Sequence, residues 1–209
     1  MSYNISNLFL EAFGLKVSKA FQPEVGDGLA NNPQLDYNGV NFVDEAEATK
    51  YSFLGTPIIY PIKFKGGQYK IFKDGAVETK RMEDFRLPVT CIVDFDRDKI
   101  IGKTKINSNA GGTVKETFGF DDWNIVIRGF CLNDPYQEQA FFSAIDQEEA
   151  LMQWDELVDS IEVRGQLFKI RDISNLVIKK IPMNALRGKP NVRPFTIHAW
   201  SDEPLELIL

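Results

Sequence analysis

The segment Gly112–Leu132, GTVKETFGFDDWNIVIRGFCL, decides the fold. In its second half, large apolar side chains recur at every second residue from Trp123 to Ile127. A period of two predicts a β-strand with one buried face. The residues before the polar dipeptide Asp121-Asp122 also have the character of a strand. We therefore predict a β-hairpin that turns at Asp121-Asp122, with a second layer covering its apolar face.

An amphipathic helix at about residues 146–159 is predicted to supply that layer. Its apolar stripe consists of Ala150, Leu151, Trp154, Leu157 and Val158, and helical spacing of this kind indicates core rather than a cofactor-binding motif. Asp146, followed by Glu149, resembles a capping box. Across both layers, the residues expected to form the core are Trp123, Ile125, Ile127, Leu151, Trp154 and Leu157.

The first 86 residues differ in character from the rest. Apolar residues at helical spacing in 3–15 predict a short N-terminal helix that ends at Gly14. Residues 16–56 are rich in Gly, Pro, Asn and acidic residues, which predicts a long irregular arm that is mobile or ordered against a neighbour. We therefore divide the chain into 1–86, with helix, arm and small β-hairpins, and 87–209, a β-rich domain.

Further strands are predicted on both sides of the central segment. Gly66-Gly67 indicates a hairpin, and Asp74-Gly75 indicates a turn. The β-branched run Leu87–Phe95 predicts a central strand. Residues 102–113 predict either a flexible tip or an extension of the flanking strands into a projecting hairpin. The end of the chain is predicted to be β in the runs IEVRG, QLFKI, NLVIKKI, PFTIHAW and LELIL.

Composition and charge narrow the class of protein. The chain has 209 residues, 44% hydrophobic and 26% charged, as in an ordinary globular protein. A net charge of −6 argues against nucleic-acid binding as the main role. Cys91 and Cys131 stand in apolar runs, which favours buried reduced thiols and leaves a disulfide open. The sequence has neither a signal-peptide pattern nor an apolar run long enough for a membrane span, so we expect use without export.

Motifs for catalysis, metal binding and cofactor binding are missing from the sequence. The one histidine, His198, has no accompanying G-x-S-x-G motif, and Gly102-Lys103-Thr104 lacks the upstream glycine of a phosphate-binding loop. Asp94, Asp96 and Asp98 lack the spacing of a calcium loop. We therefore expect a protein that is not an enzyme and has no cofactor or metal, although a hydrolase that uses a carboxylate pair stays open.

From Leu87 to Leu209 the chain resembles the tail-tube and baseplate-hub proteins of phages and contractile injection systems, especially small hub or tube-initiator proteins. The resemblance rests on a GT-VKE segment, a D-W-x-I-x-I-x-G strand and an SDEP close, in the residues Gly112, Thr113, Val114, Lys115, Glu116, Asp122, Trp123, Ile125, Ile127, Gly129, Ser201, Asp202, Glu203 and Pro204. Residues 16–86 have no counterpart in it.

The resemblance implies a mainly β, α+β fold: a split β-barrel or sandwich of tail-tube type with one packed helix. It also implies a ring of about six copies that join their sheets around a channel. Residues implied at the assembly interface or the lumen are Lys103, Lys105, Lys115 and Glu116. The implied partners are further copies, the tail tube and baseplate or hub proteins. DNA would pass through the lumen without specific binding, and no membrane is involved.

The function implied is that of a structural ring subunit of a tail or injection-system baseplate, linking tube to hub. Its implied location is the virion tail or baseplate, after assembly in the host cytoplasm. One alternative is a distal tail or tube-terminator protein of a non-contractile tail. Another, from a different class, is a monomeric β-barrel that binds a small ligand in its interior.

Overall fold

The computed structural model describes residues 3–15, 20–23, 37–38, 40–43, 62–88, 91–105, 112–133, 143–184, 186, 189 and 191–203. Most of the predicted arm 16–56, the predicted strand LELIL and Pro204 of the resemblance lie outside these residues. The described parts of the arm contain three short strands, so the prediction that it is irregular throughout was wrong.

The chain forms fifteen described strands and three described helices. In the first half these are β1 Tyr3–Asn4, α1 Ile5–Phe13, β2 Ala20–Pro23, β3 Tyr37–Asn38, β4 Val40–Val43, β5 Lys63–Phe64, β6 Gly67–Lys73, β7 Ala76–Met82, β8 Phe85–Arg86, β9 Ile92–Asp96 and β10 Lys99–Lys105. The second half contains β11 Thr113–Phe120, β12 Asn124–Leu132, α2 Ala144–Asp155, β13 Ile161–Arg164, α3 Gln166–Lys169, β14 Asn175–Lys180 and β15 Val192–Ser201.

Seven strands form the main sheet, in the order β8-β5-β13-β14-β15-β12-β9, with every neighbouring pair antiparallel. β15 and β12 pair along nine successive residues and form the centre of the domain. The mainly β, α+β fold is thereby confirmed. Among the described residues the sheet stays open, with β8 and β9 at its two margins.

The predicted hairpin between the two halves of Gly112–Leu132 was wrong in its pairing. Both strands exist, but β11 pairs with β10, whereas β12 pairs with β9 and β15. Residues 121–123 do not reverse the direction of the chain. β12 therefore continues in the direction of β11. In the range 102–113, residues 102–105 and 113 belong to β10 and β11, as the prediction of a projecting hairpin requires, and residues 106–111 lie outside the described residues.

Three other local predictions were wrong. The run Leu87–Phe95 is not central, because its strand starts only at Ile92 and lies at the margin of the sheet. Gly66-Gly67 is not a hairpin turn, since β6 pairs with β7 across Asp74-Gly75, where φ is 51° and 81° as a two-residue turn requires. The predicted strand QLFKI contains the helical turn α3.

Helix α2 begins earlier and ends earlier than predicted. Its N-cap is Ser143, whose hydroxyl accepts a hydrogen bond from the Asp146 backbone N–H at 3.1 Å, while the Asp146 carboxylate accepts one from the Ser143 N–H at 3.2 Å. The capping box is therefore Ser143 with Asp146, and not Asp146 with Glu149. The helix ends at Asp155, so the predicted stripe runs past it, and Val158 is exposed.

Two apolar clusters hold the layers together. In the larger one, Trp154 of α2 lies 5.3 Å from the Phe64 ring, 5.6 Å from Tyr69 and 6.4 Å from Phe85, measured between ring centroids. In the smaller one, α1 packs Phe9 against Phe130, with ring centroids 5.0 Å apart. Because Phe130 lies on the opposite face of β12 from Ile125 and Ile127, the two helices pack on opposite faces of the sheet.

Both cysteines are buried and free, which confirms the prediction of reduced thiols. Burial raises the pKa of the Cys91 thiol, and its Sγ donates to the Pro88 carbonyl at 3.0 Å. Burial also raises the pKa of Cys131. Neither thiol is therefore activated as a nucleophile.

Asp84 ties β5 to the loop after β7. Its carboxylate accepts from Lys63 Nζ at 2.6 Å and from the Gly66 N–H at 2.8 Å, with Lys65 Nζ at 3.3 Å. These donors, Lys63 first, hold the pKa of Asp84 well below its usual range. A lowered pKa in the folded state adds stability above the unfolded pKa of about 3.9, and this contribution is lost as the pH falls through the folded value.

We therefore expect Asp84→Asn to lower the free energy of unfolding at pH 7 by less than about 1 kcal/mol, because the pair is half-exposed. The difference from the wild type should shrink as the pH falls below about 4. Urea unfolding of both proteins at pH 7, 5 and 3 measures this. A difference that grows in acid would contradict the assignment.

Candidate assembly interface

The strands β10 and β11 form a hairpin that continues the β9–β12 pair beyond the main sheet. The ladder stops at Asp96 opposite Asn124 and resumes at Lys99 opposite Phe120. Between the two ladders, the Asp121 N–H donates to the Asp98 carbonyl at 2.9 Å. Within the described residues, neither strand of this projecting hairpin pairs with a third strand.

Arg97 joins the projecting hairpin to the main sheet. Its Nε donates to the Asp121 carbonyl at 2.8 Å. Its guanidinium carbon lies 5.0 Å from the centroid of the Phe120 ring, in the hairpin, and 5.3 Å from that of Trp123, directly before β12. Cation–π contacts on both sides of the break stabilise the hairpin's orientation. Arg97 was not predicted from the sequence, since one arginine beside three aspartates is typical of a solvated turn.

Exposed apolar side chains lie on both faces of the projecting hairpin, since Ile101, opposite Thr117, is on the other side from Phe118. Phe118 is 70% exposed and lies across Gly102, where an added Cβ would be 2.5 Å from the phenyl ring. The other exposed apolar side chains of the hairpin are Ile100, Ile101, Val114 and Phe120. Single exposed apolar residues are ordinary, but a group of this size on one element is typical of a contact surface.

The face of the hairpin opposite Phe118, which we call the lysine face, carries Lys103, Lys105 and Lys115. Lys103 stands directly across from Lys115, and alternation along β10 places Lys105 on the same side. All three are exposed, and none forms an ion pair within the described residues. Like charges directly opposite one another destabilise an isolated ladder, so an anionic partner would relieve this arrangement.

The residues predicted at the interface lie on the projecting hairpin, and those predicted in the core lie beside it or in the interior. Glu116 lies opposite Gly102, on the other face from the three lysines. Of the residues expected in the core, Trp123 is partly buried beside the hairpin. The remaining five are fully buried: Ile125, Ile127, Leu151, Trp154 and Leu157.

The margin of the sheet next to the hairpin is β9. Its inner side pairs with β12, and its outer side has no partner strand within the described residues. Asp94 forms an ion pair with Arg128 of β12, and Asp96 is exposed. Charged residues on a marginal strand prevent unspecific pairing, while the free N–H and C=O groups can still accept a matching strand.

Comparison with known proteins adds the family. Residues 86–209 match a family model described as "Domain of unknown function (DUF6046)". The chain belongs to this family. The DUF6046 match begins at Arg86 and includes β9 to β15 and therefore the whole projecting hairpin.

Two further comparisons concern the whole chain. None of the curated proteins matches this DUF6046 member. Among solved structures, it is similar to the "Tail of empty GTA particle computed with helical refinement, C6 symmetry", with 11% identity and a TM-score of 0.30, over 65% of this chain and 90% of that one.

The DUF6046 chain also has features that bear on metal binding, membrane insertion and ligand binding. Within the described residues, no group of three or more His, Cys, Asp or Glu side chains is arranged to hold a metal ion. None of the described helices combines the length and apolarity that a membrane span requires. A cavity of 320 Å³ lies beside Gly66, Met82 and Asp84, and it opens among polar side chains rather than in the core.

Proposed function

We propose that the chain is a structural ring-forming subunit at the baseplate end of a phage tail or contractile injection system, where it links the tail tube to the hub. The observation that carries this proposal is the projecting hairpin. Within the described residues it presents to solvent Phe118 and three lysines that form no ion pair, next to β9, whose outer side has no partner strand. A subunit whose contacts are completed by copies of itself needs such surfaces.

The sequence resemblance supports the same proposal independently. Its GT-VKE segment forms β11 of the projecting hairpin, and its D-W-x-I-x-I-x-G segment forms the start of β12. The residues of these two segments thus build part of the proposed interface and attach it to the core. In this proposal the protein has no catalytic activity, and its charged residues serve contacts between subunits.

The position in the particle is testable. A copy of the chain with a short tag after Leu209 is expressed in the cell that encodes the chain, and tail-like particles are purified and examined by immunogold electron microscopy. We expect gold at one end of the tail, in register with the baseplate. Gold at an end of a non-contractile tail would favour the alternative of a distal tail or tube-terminator protein, and particles without the tag would contradict the proposal.

A further inference from the structure

Charge is distributed unevenly between the projecting hairpin and the rest of the chain. Residues 99–120 contain four lysines and one glutamate, a net charge of +3. Since the net charge of the whole chain is −6, the residues outside the hairpin have a net charge of −9 (−6 minus +3). The hairpin is therefore a cationic extension of an anionic body, and the body of a second copy is an electrostatic complement to it.

Part of this anionic charge lies at the base of the hairpin. Asp96, Asp98, Asp121 and Asp122, which we call the acidic collar, surround the break between the two ladders. All four are exposed, and none forms an ion pair within the described residues. Even with Arg97 included, the collar has a net charge of −3. The lysine face lies farther out, on β10 and β11.

The collar and the lysine face of one molecule do not neutralise each other. Lys103 is five residues beyond Asp98, roughly 16 Å along an extended strand, which is too far for an ion pair. A second copy displaced along the hairpin by that distance would place its collar beside these lysines. It would also relieve the repulsion between Lys103 and Lys115.

We propose that the lysine face of one copy binds the acidic collar of the next. The contact is formed between identical chains and repeats from copy to copy, because each copy carries one cationic surface, the lysine face, and one anionic surface, the acidic collar. This inference rests on the self-assembly proposed above and specifies which surfaces meet. The exposed Phe118, on the opposite face of the hairpin, remains available for a different contact.

Charge reversal in the full-length chain tests the pairing. Lys103→Glu with Lys115→Glu should weaken self-association, measured by sedimentation velocity, at least about tenfold. Asp98→Lys with Asp122→Lys reverses charges of the acidic collar and should weaken self-association to a similar extent. Mixing the two variants should restore association, since each then meets the opposite charge. The wild-type assembly should also weaken as salt rises.

The matched control is Lys73→Glu with Arg81→Glu, which changes the net charge equally but lies on the β6–β7 hairpin. It should associate as the wild type does. If the wild type associates and the Lys103/Lys115 variant associates equally well, this pairing is overturned while the proposed function stands. If the mixture fails to recover, the pairing is likewise overturned. A wild type that stays a single chain would overturn the assembly itself.

Discussion

Replacement of Trp154 by alanine should lower the free energy of unfolding by about 3–5 kcal/mol, the largest effect that we expect from one substitution. Trp154 is 2% exposed and is the largest fully buried side chain among the described residues. It contacts Phe64, Tyr69 and Phe85, which come from β5, β6 and β8. Its loss would leave a cavity between α2 and three separate strands, which these elements cannot close.

Urea unfolding followed by far-ultraviolet circular dichroism measures this loss. The matched control is Trp200→Ala, because Trp200 is 45% exposed and contacts the Lys179 ammonium at 4.6 Å. Removal of this exposed side chain should lower the free energy of unfolding by less than about 1 kcal/mol. Equal shifts in the two unfolding midpoints would show that α2 does not cover the core as described.

Replacement of Phe118 by alanine should weaken self-association about tenfold or more and leave the unfolding midpoint unchanged. Phe118 is 70% exposed in the single chain, so the fold loses little when the ring is removed. In an assembly the same ring would be covered, and buried aromatic anchors at interfaces contribute about 2 kcal/mol or more. Sedimentation velocity over a concentration series measures the change.

Phe72 provides the control for Phe118. It is 65% exposed and lies in a strand of a two-stranded hairpin too, paired with Val77 of β7. Phe72→Ala removes the same atoms from a surface to which we assign no contact between copies, and it should associate normally. If both variants lost association to the same extent, apolar exposure in general would be responsible, and the projecting hairpin would have no special role.

Much of the fold could be predicted from local patterns. The period of two in β12 identified Ile125 and Ile127 on one face, and the helical stripe identified Leu151 and Trp154. Gly14, with φ of 68°, ends α1 where expected. These predictions concern single elements. Which residues of a strand or helix share a face follows from their spacing in the sequence, so buried residues can be predicted without knowledge of the pairing.

Pairing and register could not be predicted in the same way. Residues 121–123 do not reverse the chain because β12 pairs with β9 and β15 instead of β11. These partner strands lie outside the segment Gly112–Leu132, so its local pattern does not reveal the pairing. The capping residue Ser143 was missed because its partner three residues later is aspartate rather than the usual glutamate or glutamine. The joint role of Arg97 with Phe120 and Trp123 depends on the break between the ladders and has no sequence signal.

Amide hydrogen exchange of the full-length chain, compared below and above the concentration at which it associates, shows directly which residues neighbouring copies cover. The account predicts slower exchange in peptides covering residues 99–120 on association, because neighbouring copies would cover the projecting hairpin. Peptides from the β6–β7 hairpin, residues 67–82, should exchange at the same rate in both samples. Unchanged exchange in residues 99–120 while the chain associates, or a chain that never associates, would contradict it.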